Sequence, residues 1–161
     1  MLLRDGAPVL WRYHTARLAQ GCQRLGIPLL SQEALDATWQ GDPTAEVEVL
    51  KLILTRGSGG RGYAVPEQVV PRLVSRRTPF QPSVERWQQG VTVRLCDLQL
   101  ARQPRLAGIK HLNRLENVLA RREWSDATIA EGLLADSEGL IVEATSMNVF
   151  GSRRGGIYAS A

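Results

Sequence analysis

Eighteen of the twenty cationic side chains are arginines, so chemistry that requires a primary amine has two candidates, Lys51 and Lys110. Lys110 sits in Ala107-Gly108-Ile109-Lys110-His111-Leu112-Asn113-Arg114-Leu115-Glu116, at the end of a short apolar run and just before a helical pattern. A lysine at large is a solvated surface charge. At a strand-helix junction, partial burial would leave a fraction of it as free amine, the nucleophile that condenses with an aldehyde. Glu143 closes the apolar run Leu140-Ile141-Val142. An acid there either faces water or pairs with a buried cation such as a protonated ring nitrogen.

Three arginines offer anion chemistry. Arg17, in His14-Thr15-Ala16-Arg17-Leu18, falls in a helical segment whose outward face is its ordinary place. Arg56 and Arg61 flank the loop Gly57-Ser58-Gly59-Gly60, which runs on to Gly62-Tyr63 and contains a GxGxxG spacing after a strand. A dinucleotide-binding loop must open a helix that receives the pyrophosphate. Pro66, Val69, Val70 and Pro71 follow instead, with no helical period. The absence of Gly-Lys-Ser/Thr excludes a P-loop. What remains is a turn rich in main-chain donors with two guanidinium groups, suited equally to a carboxylate and to plain turn formation.

The elements that must position these residues follow from periodicity. Asp5-Gly6 between Leu2-Leu3 and Pro8–Trp11 predicts a hairpin. Ala16, Leu18, Cys22 and Leu25 predict a helix over Tyr13–Leu25 stopped by Gly26 and Pro28. Ser31 caps a second helix running through Leu35 to Trp39. Glu46–Thr55 reads as a strand, and Pro66, Pro71, Pro79 and Pro82 punctuate the region after it. A strand is expected over Val91–Cys96, a helix over Asn113–Glu123, and strands over Ile129–Ala135 and Leu140–Glu143 around the turn Ser137-Glu138-Gly139. Further strands are expected near Asn148 and after Gly155-Gly156. A chain that starts in one hairpin and stops in another leaves strand edges unpaired, so a fragment is expected.

Composition narrows the class. With 161 residues, 43% apolar and 22% charged, the chain lies in the ordinary globular range and can bury a core. The net charge of +4 is spread out, with short runs at Arg76-Arg77, Arg121-Arg122 and Arg153-Arg154 and no interleaved aromatics, which argues against a nucleic-acid partner. No apolar stretch reaches membrane-spanning length and no signal-peptide core forms after Met1, so no membrane partner and a cytoplasmic location are expected. Cys22 and Cys96 stand far apart without metal-ligand spacing, predicting buried thiols and no metal site.

GIKHLNRLENVLAR, together with the downstream EATSMNVF, resembles the cofactor-lysine and pyridine-glutamate segments of fold-type IV pyridoxal-phosphate enzymes. That group holds branched-chain and D-amino-acid aminotransferases and aminodeoxychorismate lyases. The His-x-x-Arg-Leu at His14–Leu18 is similar to the group's phosphate-anchoring motif. RGSGGRGY at Arg56–Tyr63 and LAGIKHLNRL at Leu106–Leu115 look specifically like the lyases, and the Gly-Gly-Asn-Tyr stretch typical of branched-chain aminotransferases is absent after Lys110. The resemblance implies an α+β, fold-type IV architecture of two domains: a small one over 1–102, a linker over 103–108, and an incomplete cofactor-binding domain over 109–161.

It further implies pyridoxal 5'-phosphate as cofactor, with Lys110 its covalent anchor and catalytic base, Glu143 against the pyridine nitrogen and Arg17 on the phosphate. Arg56 and Arg61 would face the carboxylates of a small anionic substrate. The implied reaction converts 4-amino-4-deoxychorismate to 4-aminobenzoate and pyruvate, a step towards folate, in a homodimer. The alternatives are a class IV aminotransferase acting on D- or branched-chain amino acids, and a catalytically inactive truncated chain.

Overall fold

The computed structural model of the chain describes residues 1–153 and 155–159, and two compact units, Met1–Pro82 and Ser83–Ala161. Arg154 of the expected Arg153-Arg154 run lies outside the described residues.

In the first unit, β1 (Leu2–Arg4) and β2 (Ala7–Pro8) form the expected hairpin, with Asp5 and Gly6 at φ 49 and 76, the left-handed pair that a two-residue turn demands. The second strand is shorter than predicted, because α1 (Trp11–Leu25) starts directly after Leu10. Gly26, at φ 61, donates its amide to the Cys22 and Gln23 carbonyls and stops α1 where the sequence put the stop. In α2 (Gln32–Asp36) the Ser31 hydroxyl accepts from Ala34 N at 3.2 Å, and the helix ends before Trp39. The strands β3 (Val47–Thr55) and β4 (Arg72–Pro79) complete an antiparallel sheet of order β2-β1-β3-β4. Leu3, Cys22, Leu35 and Leu50 are buried in this unit. Glu48 is buried too, and it pairs with Arg77 and accepts from Thr44 Oγ1 at 2.7 Å.

The second unit opens with α3 (Val84–Gln89), a short helix the periodicity did not reveal, capped by Ser83 Oγ on Arg86 N at 3.2 Å. Next come β5 (Thr92–Leu100), α4 (Leu115–Arg121), β6 (Ile129–Asp136) and β7 (Ile141–Ala144), in a sheet of order β5-β6-β7. A separate hairpin joins β8 (Phe150–Arg153) to β9 (Gly156–Ala159). The boundary at Pro82 groups β5 with β6, whereas the sequence grouped it with the preceding segment.

β5 and β6 run parallel, so the chain must return from the carboxyl end of β5 by a crossover, and residues 101–128 are that crossover. The ladder is irregular between Leu95 and Gln99, where the amides of Asp97 and Leu98 instead donate to the Glu123 carboxylate at 2.8 and 2.9 Å. Backbone donors that the bulge withdraws from the sheet are thus satisfied by a side chain just past α4. The core beneath holds Cys96, Ala120, Trp124 and Leu134, flanked by Leu98, Leu100 and Ile129. Trp124 lies against Gly132: a Cβ there would fall 2.7 Å from Trp124 Cη2 and 2.5 Å from Cys96 Sγ. Both neighbours are core atoms with little room to retreat. Gly132→Ala should therefore cost about 1–3 kcal/mol, read from the urea midpoint of the full chain; an unshifted midpoint would mean that Trp124 moves aside freely.

Candidate active site

Lys110 occupies the crossover between β5 and α4, on an irregular stretch and not at the end of a strand. The preceding turn is built by Leu106 N and Ala107 N donating to Gln103 O, and by Ile109 N donating to Leu106 O at 3.0 Å. Gly108 takes φ 74, and Ile109 is buried, pinning the segment. Lys110 itself is exposed, so the partial burial expected from the sequence is not provided by the described residues. His111, next in the chain, has a buried Nδ1 without a hydrogen-bond partner among the described residues.

Glu143 lies in β7, paired with Leu134 of β6. Its Oε1 accepts from Arg114 Nη1 at 2.6 Å and from Asn117 Nδ2 at 2.8 Å. Arg114 and Asn117 are three residues apart at the start of α4, the spacing that places two side chains on one side of a helix. Asn117 also donates to Thr145 O at 3.2 Å. The crossover that carries Lys110 is thereby tied to the strand that carries Glu143, four residues beyond the lysine. The Glu143 side chain retains 23% of its exposure, and no described residue donates to Oε2.

A second acid, which the sequence did not single out, organises the turn after Glu143. Glu131 on β6 is 5% exposed and accepts from Thr145 Oγ1, from Ser146 Oγ, from Ser146 N at 3.2 Å and from Gly132 N at 3.0 Å. Thr145 N also donates to Gly132 O at 3.0 Å, so both side chain and backbone fix the residues that follow Glu143. The available signal was an acid within the otherwise apolar Ile129–Ala135 run, since a buried carboxylate requires partners and Thr145-Ser146 supplies them.

In the first unit, Arg17 is exposed on α1, with Nη2 3.2 Å from Nδ1 of His14. Arg56 donates Nη1 to Gly26 O at 2.9 Å and Nη2 to Leu25 O, so its guanidinium satisfies the carbonyl end of α1. That engagement is structural. Arg61 is exposed on the loop between β3 and β4. At Gly57, φ is 91 and a Cβ would fall 2.0 Å from Val70 O, so close backbone approach explains this glycine without a phosphate.

The model of the amino-transferase class IV family matches residues 1–161, and the chain belongs to that family. It is 31% identical over 142 residues to the aminodeoxychorismate lyase of Vibrio harveyi, covering 87% of this chain and 52% of that protein. Against the D-alanine aminotransferase of Bacillus licheniformis the identity is 28% over 151 residues, covering 90% and 51%. The crystal structure of the 4-amino-4-deoxychorismate lyase from Pseudomonas aeruginosa superposes with a TM-score of 0.83 at 45% identity, covering 99% of this chain and 60% of that one. The expected α+β, fold-type IV architecture is borne out. The chain spans about half the length of the curated relatives it matches.

Burial pushes the Glu131 carboxyl up, but the hydrogen bonds from Ser146, Thr145 and the Gly132 amide outweigh it and hold the group below the ordinary carboxylate range. A carboxylate lowered in the folded chain contributes stability that is complete above its unfolded pKa, about 4.3, and is lost as pH falls through the folded value. Glu131→Gln should therefore lower the denaturation midpoint at neutral pH and narrow its gap to the unsubstituted chain below about pH 4. A residual acid slope should persist from Glu33, Glu48, Glu123 and Asp126, whose carboxyls are also lowered. Urea midpoints across this range test it, and parallel curves would show that ionised Glu131 contributes nothing.

Proposed function

We propose that this chain carries the cofactor-anchoring part of a pyridoxal-phosphate-dependent lyase that converts 4-amino-4-deoxychorismate to 4-aminobenzoate and pyruvate. The observation that carries the reading is the Glu143 carboxylate: Arg114 and Asn117 take one oxygen, and the other has no donor among the described residues. A carboxylate braced on one side and open on the other suits a protonated pyridine nitrogen. Lys110 lies on the crossover tied to Glu143 through Arg114, and the family resemblance, not burial, supports it as the amine that would meet an aldehyde.

When bound, pyridoxal phosphate supplies a protonated ring that accepts electrons from a neighbouring carbanion. Lys110 Nζ would hold the cofactor and, as a free amine, would take the proton from the amine-bearing ring carbon of the substrate. Glu143 would pair with the pyridine nitrogen and favour its protonated form. The family resemblance makes Arg17, whose Nη2 lies 3.2 Å from His14 Nδ1, the residue that would take the cofactor phosphate. Arg56 is engaged by the carbonyl end of α1, which leaves Arg61 as the loop arginine proposed for a substrate carboxylate. The 45% identity to the Pseudomonas aeruginosa lyase favours this reaction. The D-alanine aminotransferase likeness supports a class IV aminotransferase as the second reading, using the same lysine and glutamate. The homodimer and cytoplasmic location belong to the same proposal for the complete protein, and among the described residues no helix is long and apolar enough to cross a membrane.

Borohydride reduction of the chain with pyridoxal phosphate, followed by peptide mapping, should label Lys110, with Lys51 as internal control. Labelling at Lys51 alone, or at neither lysine, removes the assignment. In product analysis, pyruvate release without a keto-acid acceptor supports the lyase, and strict dependence on an acceptor replaces it with the aminotransferase.

A further inference from the structure

Resting on the reading of Glu143 above, we propose that Arg114 is a positioning residue: with Asn117 it fixes the Glu143 carboxylate so that Oε2 is the oxygen presented to the pyridine nitrogen of the cofactor.

A glutamate on a strand has three rotatable side-chain bonds, and a partly exposed one samples several rotamers. Glu143 is restrained by two donors that converge on one oxygen, Arg114 Nη1 at 2.6 Å and Asn117 Nδ2 at 2.8 Å. Asn117 is buried, and its amide nitrogen also reaches Thr145 O at 3.2 Å, which directs it towards β7 and the turn that follows. Arg114 precedes α4 directly and so moves with that helix. The two donors thus come from one rigid element, and the carboxylate can rotate only by breaking both bonds.

A bidentate Arg114 pair, with a nitrogen on each oxygen, would leave Glu143 nothing for a second cation. Here the guanidinium takes Oε1 alone. Two opposed effects follow. The guanidinium draws on the negative charge that a pyridinium would use, and it spares the ring the entropy of freezing the carboxylate. Because the contact leaves one oxygen open, orientation should win. Loss of Arg114 is then expected to weaken contact with the ring nitrogen, although it removes a competing cation.

The test compares two probes on the full chain: pyridoxal 5'-phosphate and its 1-deaza analogue, in which a C–H replaces the ring nitrogen. Binding is read by quenching of tryptophan fluorescence, with circular dichroism recorded on every sample. The unsubstituted chain should prefer the pyridine by about ten-fold, the scale on which supporting partners of a ligating group act. Arg114→Met should remove most of that preference by weakening the pyridine and leaving the deaza analogue nearly unchanged. Arg114→Lys should restore part of it, and Asn117→Ala should reduce it in the same direction.

Equal loss of both probes in Arg114→Met assigns Arg114 a general structural role and overturns the proposal, as does a preference that survives intact. The Glu143 reading is judged separately by Glu143→Gln, which should abolish the preference. If the unsubstituted chain shows no preference, or Glu143→Gln keeps it, the assignment of Glu143 fails and the role of Arg114 fails with it. Should Arg114→Met lose its folded circular dichroism, the Arg114→Lys and Asn117→Ala pair decides: unchanged preference in both overturns the proposal.

Discussion

The parallel pairing of β5 with β6 is the constraint on which the second unit depends. Parallel neighbours cannot be joined by a tight turn, so the chain must leave the carboxyl end of β5 and travel back before β6 begins. That obligatory excursion carries Lys110, Arg114 and Asn117 in sequence. Its return is anchored by α4, whose Ala120 enters the core with Cys96 and Leu134, and by Glu123, whose carboxylate takes the two amides freed at the irregularity in β5. The backbone of such a crossover is tied to the sheet at its return while its side chains, Lys110 among them, can stay exposed.

The acids of this unit divide the work according to their surroundings. Glu131 is enclosed and accepts four hydrogen bonds from Gly132, Thr145 and Ser146, so nothing is left for a ligand. Glu143, one strand over, is held by a single oxygen. Both carboxylates touch the same short turn, Glu131 through the Thr145 and Ser146 hydroxyls and Glu143 through Asn117 and the Thr145 carbonyl. A saturated acid fixes the turn and a half-saturated one remains open. The contrast needs no difference in residue type, only in the number of donors that reach each oxygen.

The first unit shows a parallel economy with arginines. Arg56 closes the carbonyl end of α1, Arg77 compensates buried Glu48, and Arg17 stays exposed beside His14. A guanidinium next to a glycine-rich loop suggests anion binding by composition alone, but the carbonyls of Leu25 and Gly26 form an anion-like site within the chain itself, and Arg56 goes there. The glycines of that loop have a comparable internal explanation at Gly57, where Val70 O leaves no room for a side chain.

Local chemistry made much of this legible in the sequence. Asp5-Gly6 requires a left-handed turn, Gly26 ends a helix and Ser31 caps one, each through interactions within a few residues, and the apolar runs at Val47–Thr55 and Ile129–Asp136 mark strands by their composition. The family was legible as well, and with only two lysines in the chain the resemblance around Lys110 and Glu143 named one candidate amine and one candidate acid. Long-range pairing decided the rest. No local pattern says that β5 runs parallel to β6, that Glu123 serves β5, that Arg56 belongs to α1, or that Arg114 and Glu143, 29 residues apart, meet at one oxygen. Each depends on where a distant segment arrives, and a side chain's neighbours across a sheet are fixed by register and packing, which sequence spacing does not encode.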